Sequence, residues 1–401
     1  MAAQQPEKAN LLALRRQYTN PYAIYTALRD RDSMYFDPMS QCWLVTGYEA
    51  IVELLNTEQV TSALGLSMKK PSPHTLFISK QMLFMDGEQH QRIRDIVSRQ
   101  LAVMIHRMPE VIREAAHASI KRMRQERESD FVSAFASPVS LETISSFLGI
   151  PTHDREMLTE LERWSDAFAD ATTGYFRYNM QDIDRLKEYF LHLIHKKKEE
   201  PANDLISAFL ADQDAFHDEE ALLANCLMVF TAGRTDIKRL LSHGITTMML
   251  HWEELQATVR KDARVTGLIS EELFRLVTPT RSVVRDVRKE EGLPPLFVHE
   301  HFLGAGQRIL LYLEAGNRDP ALFPQPEQFH LRRFAHAEKH LAFGLGSHRC
   351  PGAPLARLEA RIALEELFSL PRLLPKPDAQ PTWNANPTLG GFLSYPVLVI
   401  G

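Results

Sequence analysis

Apolar residues recur at helical spacing along most of the 401-residue chain. Apolar positions three or four residues apart place one hydrophobic stripe along a helix, and they predict a chain that is mainly helical. The predicted helices cover residues 20–30, 47–55, 85–97, 110–126, 140–148, 152–170, 180–199 and 219–251.

Other stretches lack this periodicity. Residues 34–45 predict two short strands joined at Asp37 and Pro38, and residues 389–400 predict a terminal hairpin. Residues 59–82 carry prolines, serines and a glycine without a repeating apolar pattern, so they predict a long loop of the kind that is usually functional or mobile.

The stretch 219–251 is the longest predicted helix, and its middle is apolar, as a helix crossing a core must be. Its centre reads Ala-Gly-Arg-Thr-Asp, from Ala232 to Asp236, and Lys238 and Arg239 follow. Asp236 is one turn before Arg239, so a purely structural ion pair is one interpretation of these charges.

Composition narrows the class of protein. A hydrophobic content of 44% supports a large core, and a net charge of −5 without a basic block argues against nucleic acid as the main partner. Three scattered cysteines do not make a disulfide framework. Because the first eighteen residues lack a long apolar run, we expect a soluble, cytoplasmic enzyme without a membrane anchor.

One cysteine lies in the setting that a metal-bound thiolate needs. The segment FGLGSHRCPGAPLAR, from Phe343 to Arg357, places Cys350 after two glycines and before a predicted helix, which Pro351 could open. The start of a helix stabilises a thiolate and lowers its pKa. An inert core cysteine or half of a zinc site are the alternatives, but no second Cys/His cluster supplies further zinc ligands.

This segment resembles the haem-binding loop of the cytochromes P450, F-G-x-G-x-H-x-C-x-G-x-x-L-A-R. The fixed positions are all filled, by Phe343, Gly344, Gly346, His348, Cys350, Gly352, Leu355, Ala356 and Arg357. The resemblance implies haem b (iron protoporphyrin IX) with Cys350 as the axial iron ligand, Phe343 beside its sulfur and His348 at a haem propionate.

Further motifs extend the resemblance over nearly the whole chain. MDGEQHQRIR is similar to the D-P-P-E-H-x-R-x-R helix, which implies that His90 and Arg94 bind propionates, although such a pair can also be a solvated helix face.

Glu272 and Arg275 form an E-x-x-R, a common surface pair when it stands alone. Here the resemblance implies a structural charge network completed by Arg333 or Arg332. It also implies that Arg285 is a propionate partner.

The long helix departs from the family pattern A/G-G-x-(D/E)-T, in which the small residues leave room for haem and oxygen. Ala232 and Gly233 match, but Thr235 occupies the acid's position and Asp236 that of the alcohol. Asp236 could relay protons if burial raises its pKa, could anchor a cationic substrate group, or could reflect a change of helical register. By the resemblance, Val229, Thr280, Val283 and Phe392 contact substrate.

The resemblance implies a single domain over residues 1–401 with the P450 fold, mainly α with a small β region. The implied function is insertion of oxygen from O2 into a small organic substrate, with natural-product tailoring as the setting by analogy. A separate ferredoxin and its reductase would supply electrons, and we expect a monomer. The alternatives are an atypical reaction, such as ring closure, coupling or peroxide-driven oxidation, and a haem-binding sensor or carrier without turnover.

Overall fold

Helices make up most of the protein. The computed structural model describes residues 9–17, 19–63, 72–175, 178–290, 292–335 and 339–400. Within them the α-helices are α1 (Leu11–Arg16), α2 (Tyr22–Arg31), α3 (Tyr48–Asn56), α4 (Pro73–Ile78), α5 (Gly87–Met104), α6 (Met108–Glu126), α7 (Ser137–Leu148), α8 (Arg155–Thr172), α9 (Met180–Glu199), α10 (Leu205–Ala211), α11 (Glu219–Leu250), α12 (Trp252–Lys261), α13 (Val265–Val277), α14 (Leu313–Gly316) and α15 (Ala353–Leu367).

The strands form small sheets at the edge of the helical body. They are β1 (Met34–Asp37), β2 (Cys42–Val45), β3 (Val60–Thr61), β4 (Glu128–Asp130), β5 (Val283–Val287), β6 (Leu296–Val298), β7 (His301–Leu303), β8 (Arg308–Leu311), β9 (Arg372–Pro375), β10 (Thr382–Trp383), β11 (Phe392–Ser394) and β12 (Pro396–Ile400). The largest sheet has five strands in the order β1-β2-β8-β5-β3.

Helix α11 passes through the main core, as its apolar middle predicts. It packs against α7, α8, α9 and α13, and Leu240, Leu241 and Ile245 on it are fully buried. Its first turn is capped by Asp218, whose side chain accepts a hydrogen bond from the Ala221 N–H. The predicted range 219–251 therefore agrees with the observed helix to within one residue.

Two predicted elements were wrong. Residues 59–82 are not one loop, because β3 and α4 lie within them, with residues 64–71 outside the described part of the chain. Residues 389–400 are not a hairpin, since β11 pairs with β10 whereas β12 pairs with β4 and β9. Asp130 causes this separation by accepting hydrogen bonds from Ser394 Oγ and the Tyr395 N–H, both at 2.6 Å.

A search of the described helices finds none that combines the length and the apolar character needed to span a membrane.

Candidate active site

The loop before α15 holds Cys350 in a defined turn. The Cys350 N–H donates to the Phe343 carbonyl oxygen over 2.8 Å, which closes the loop on itself. Phe343 packs against Phe274 with ring centroids 4.7 Å apart, and the Arg357 guanidinium lies 4.5 Å from the centre of the Phe343 ring. The aromatic and cationic contacts therefore fix the residue that the family resemblance places beside the sulfur.

Glycine is required at two points of this loop. Gly344 and Gly346 have φ angles of 62° and 67°, in the left-handed region that side chains rarely adopt. A β-carbon on Gly346 would also collide with the carbonyl oxygen of Leu55 at the end of α3. The loop therefore takes part of its shape from a distant segment of the chain.

The Cys350 side chain is accessible although the surrounding protein desolvates its thiol, which indicates that the thiol opens onto a cavity within the fold. Burial raises the pKa of the Cys350 thiol, and the N–H groups of Gly352 and Ala353 only partly counteract this effect. The expected lowering of the pKa at a helix start is thus outweighed. Helix α15 begins at Ala353 with Pro354 in its first turn, so Pro351 does not open the helix.

Two arginines and two histidines lie beside this cavity, and the two arginines have no ion-pair partner among the described residues. His90 is electrostatically close to His348, Arg94 and Arg285, and burial together with these neighbours lowers the pKa of His90 to about 4. Among the residues that the structure describes, neither Arg94 nor Arg285 forms an ion pair, and Arg285 donates only to the Val284 carbonyl. Unbalanced cations at a cavity wall fit a prosthetic group with carboxylates of its own.

His348 has an acidic partner that the sequence did not suggest. Its Nε2 lies 2.8 Å from Asp86 Oδ1 and 2.9 Å from Ser62 Oγ, and its ring stacks on that of His90 at 4.2 Å. Arg288 also pairs with Asp86, at 3.2 Å. The signal that was available for Asp86 was its position as the second residue of the MDGEQH motif, directly after Met85.

The opposite wall of the cavity is one face of α11. Val229, Ala232 and Asp236 share this face at positions i, i+3 and i+7, and all three are accessible although most of the helix is buried. The charge of Asp236 contributes to raising the pKa of the Cys350 thiol, so the carboxylate and the sulfur are near enough to interact electrostatically.

Two neighbours of Asp236, Thr235 and Gly233, do not serve the cavity in the way the family pattern implies. Thr235 is buried and donates to the Thr231 carbonyl oxygen of its own helix over 2.8 Å. The space for a side chain on Gly233 is filled by Ile144 of α7, so close helix packing explains this glycine better than room for oxygen does. Of the residues expected to act on oxygen, the structure brings Ala232 and Asp236 to the cavity and turns Thr235 away.

Asp236 is held by two donors and remains accessible. Arg239 Nη1 is 3.1 Å from Asp236 Oδ1, and Thr280 Oγ1 donates to Oδ2 over 3.2 Å. The Asp236 side chain is 39% exposed, on the same face of α11 as the accessible Val229 and Ala232. Burial raises the pKa of the Asp236 carboxyl, while Arg239 and the Thr280 hydroxyl act in the opposite direction.

Only part of the predicted substrate-contacting set lies near Asp236. Thr280 bonds to it, and Val283 is half-buried in β5. Phe392 instead packs against Trp383 and Tyr395, with centroids 4.6 and 4.8 Å away. The residue of this turn that reaches Thr280 is Leu389, through a backbone bridge. Substrate contact by Phe392 therefore stays a prediction, and Leu389 joins it as a residue of this turn close to Thr280.

The E-x-x-R pair is completely buried. Glu272 binds Arg275 through two hydrogen bonds of 2.8 and 2.9 Å, and neither side chain is accessible. Arg333, rather than Arg332, binds Glu272 at 3.0 Å, and the His330 N–H donates to the same carboxylate. This brace ties α13 to the segment that precedes the Cys350 loop.

Two further charged residues of α11, Arg234 and Lys238, face α8. Arg234 is fully buried and pairs with Asp166 and Glu162, and Lys238 pairs with the same two acids at 3.0 and 3.3 Å. Ser165 Oγ accepts a hydrogen bond of 3.0 Å from Arg234 Nε. The sequence showed these cations but not their partners, which lie about seventy residues earlier in the chain.

A family profile described as "Cytochrome P450" matches residues 9–398. The chain belongs to the cytochrome P450 family. It is 27% identical to the polyketide biosynthesis cytochrome P450 PksS of Bacillus subtilis, over 94% of this chain and 95% of that one. It is 28% identical to the biotin biosynthesis cytochrome P450 of the same organism, over 92% of this chain and 93% of that one.

Solved structures give the same fold. The PksS structure superposes with a TM-score of 0.83 at 25% identity, covering 99% of this chain and all of that chain. P450BioI, solved in complex with an acyl carrier protein ligated to hexadec-9Z-enoic acid, superposes with a TM-score of 0.82 at 25% identity, over 97% of this chain and all of that one. The predictions of family, mainly α fold, monooxygenase class and haem cofactor are confirmed.

Proposed function

We propose that this P450 inserts one oxygen atom from O2 into a small organic substrate in a biosynthetic pathway, by hydroxylation or epoxidation. The relatives named for polyketide and biotin biosynthesis support this setting. When bound, haem b supplies an iron centre that binds and activates O2 with a cysteine thiolate as axial ligand. Cys350 would hold the iron, and His90, Arg94 and Arg285 would bind the propionates.

The observation that carries the proposal is the position of Asp236. It stands at the helix position where the family has an alcohol, interacts electrostatically with Cys350, and has Arg239 and Thr280 as its donors. A carboxyl with a raised pKa can hold a proton at its cavity-facing oxygen and release it toward the oxygen site. We assign Asp236 this proton-holding role, with Thr280 and Arg239 fixing its orientation.

Asp236→Asn is expected to lower the yield of product per NADPH by about tenfold, because an amide cannot release a proton as a carboxylic acid does. The protonated fraction of Asp236 falls as pH rises. The coupling of the unmodified enzyme, meaning the product formed per NADPH consumed, should therefore decline with increasing pH. The variant should lose this dependence. Product and NADPH consumption, measured together across pH, check both expectations, and haem content should stay unchanged.

A double variant serves as the control. Thr235→Asp combined with Asp236→Thr restores the family order and should recover coupling with a different pH profile. If Asp236→Asn leaves both coupling and its pH profile unchanged, the carboxylate only forms a structural pair with Arg239.

Labelled dioxygen separates oxygen insertion from the alternatives. With 18O2 and reduced redox partners, the product should gain one labelled atom, since each turnover uses two electrons and two protons and releases one labelled water. A product without label would instead favour ring closure, carbon coupling or peroxide-driven chemistry, which the unusual Asp236 makes the second candidate. An unchanged substrate despite haem reduction would favour a carrier.

We further propose that an external ferredoxin, served by its reductase, docks on the Cys350 side. A recess of about 270 Å³ there is lined by Lys339, Arg349 and Arg357 with Tyr48 and Leu345.

Lys339→Glu should slow electron transfer about fivefold at low ionic strength, and salt should diminish the difference. Stopped-flow reduction checks this, with Lys196→Glu on α9 as a matched control that should have no effect.

A further inference from the structure

The loop between β10 and β11, residues 384–391, packs against both donors of Asp236. A hydrogen bond of 3.1 Å from the Asn384 N–H to the Gly391 carbonyl oxygen joins its two ends. From this closed loop, one contact leads to Thr280 and another to Arg239. The two donors of the carboxylate therefore lie against one segment of the chain.

Thr280 is held by backbone pairing with this loop. Thr280 and Leu389 form an isolated antiparallel β-bridge. The N–H of the next residue, Arg281, donates to the Thr388 carbonyl oxygen over 3.1 Å. Because Thr280 Oγ1 donates to Asp236 Oδ2 over 3.2 Å, the loop determines where the hydroxyl donor of the carboxylate lies.

Arg239 lies in space that Gly391 leaves open. The φ angle of Gly391 is 103°, and a β-carbon there would lie 3.1 Å from Arg239 Cγ and 3.2 Å from Ser242 Oγ. Both distances are shorter than an optimal van der Waals contact, so the loop or the arginine would have to move. Arg239 Nη1 lies 3.1 Å from Asp236 Oδ1, so such a movement would disturb the second donor of the carboxylate.

Asn386 anchors the loop to the end of α8. The residue is fully buried, and its Nδ2 donates to Asp170 Oδ1 and to Thr173 Oγ1, both over 2.8 Å. Its Oδ1 accepts from the N–H groups of Thr388 and Leu389, at 3.0 and 3.3 Å. The amide thus uses both of its hydrogens and both lone pairs of its oxygen, and a fully satisfied buried network of this kind specifies one conformation.

The charges around Arg239 come from both helices that meet here. Asp166 and Asp170 of α8 act on the guanidinium together with Asp236 and Arg234 of α11. Asp170 therefore both accepts the hydrogen bond that anchors the loop and attracts the arginine that the loop packs against. The loop, the end of α8 and the donors of Asp236 form one connected network.

We propose that the β10–β11 loop is the positioning element of Asp236, with Asn386 and Gly391 as its positioning residues. Asn386 fixes the part of the loop that holds Thr280, and Gly391 leaves the room that Arg239 occupies. Both residues are buried, so they act through the two donors and not by contact with substrate. The inference rests on the proposed function, because Asp236 is the group whose orientation the loop determines.

Infrared spectra of the haem-loaded enzyme across pH test the positioning without turnover. The C=O stretch of protonated Asp236 is assigned by its absence in Asp236→Asn. Arg239 and the Thr280 hydroxyl both act to lower the pKa of Asp236, so the loss of either donor raises that pKa. In Asn386→Ala and in Gly391→Ala this band should therefore persist to higher pH than in the unmodified enzyme. An unchanged titration of the band in both variants overturns the inference.

A milder variant tests the anchor if Asn386→Ala does not retain haem. Thr173→Val removes one acceptor of the Asn386 amide and leaves the contacts within the loop intact. The band of Asp236 should again persist to higher pH, by less than in Gly391→Ala. A haem-loaded Thr173→Val protein with the unmodified titration contradicts the role of the anchor.

Coupling in single and double variants tests whether Asn386 acts through Thr280. Asn386→Ala should lower the product formed per NADPH about threefold and change the substrate KM less than twofold, because it misplaces a proton donor and not a binding group. Thr280→Val should also lower coupling. The double variant should be no worse than Thr280→Val alone, since Asn386 then has no hydroxyl left to position. Additive losses would overturn the assignment of Asn386.

Gly292→Ala is the matched control for Gly391→Ala. Gly292 has a φ angle of 87°, and no atom of the described residues lies within 4 Å of a β-carbon built there. The substitution brings a similar backbone strain without displacing a neighbour, so it should change neither the band nor the coupling. Equal shifts in the two variants would show that strain alone moves the band, which contradicts the role of Gly391.

The two proposals about Asp236 fail in different ways. A shifted infrared titration with unchanged coupling would support the positioning by the loop and refute the proton-holding role of Asp236. An unchanged titration in a protein that incorporates label from 18O2 would refute the positioning alone.

Discussion

The Cys350→Ser protein is expected to lose oxygenase activity to below detection. A serine hydroxyl cannot supply the electron-rich thiolate that the activation of O2 requires at the iron. The absorption band of the reduced carbon monoxide complex should move from the red-shifted, thiolate-type position to that of a haem without a thiolate ligand. Spectra of the reduced, carbon monoxide-treated protein check this together with product formation.

Cys42 provides the matched control. It is a buried thiol in β2 whose only described hydrogen bond goes to the Ser40 carbonyl oxygen, and it lies in a different part of the fold. Cys42→Ser should keep the thiolate-type band and the activity. A Cys350→Ser protein that kept the red-shifted band would show that another residue holds the iron.

The second large effect is expected for Glu272→Gln. Glu272 and Arg275 are both inaccessible, and the carboxylate also binds Arg333 and the His330 N–H. Neutralising it leaves a buried guanidinium without its counter-charge, which costs about 3–5 kcal/mol of unfolding free energy. Because this brace leads directly to the Cys350 loop, we also expect most of the purified variant to lack haem.

Urea unfolding and the haem-to-protein ratio measure these two consequences. Glu254→Gln, in an exposed position on α12, should change the unfolding free energy by less than about 0.5 kcal/mol. A Glu272→Gln protein as stable and as fully loaded as this control would mean that the buried pair does not brace the haem loop.

Local signals allowed part of the fold to be predicted. The bounds of α9 and α11 followed from apolar spacing, and in the structure Asn179 and Asp218 cap the starts of these helices. The Cys350 loop was found because its motif residues lie within fifteen consecutive positions of the sequence. In these cases the signal that allowed the prediction lies in neighbouring residues.

Contacts between distant segments escaped prediction. Asp130 determines where β11 ends and β12 begins, although it is more than 260 residues away. Asp86 and His348 are likewise 262 residues apart. The charges of Arg234 and Lys238 were visible in the sequence, but nothing local indicated whether they face haem, solvent or α8. Such pairings are set by the packing of whole helices, which a one-dimensional pattern does not contain.

The collision that a side chain on Gly346 would have with Leu55 limits how this enzyme can be engineered. A Cys350 loop transplanted from another P450 would meet an α3 terminus shaped for different neighbours. Chimeras should therefore exchange the loop and the end of α3 together, so that the junction between them is inherited intact.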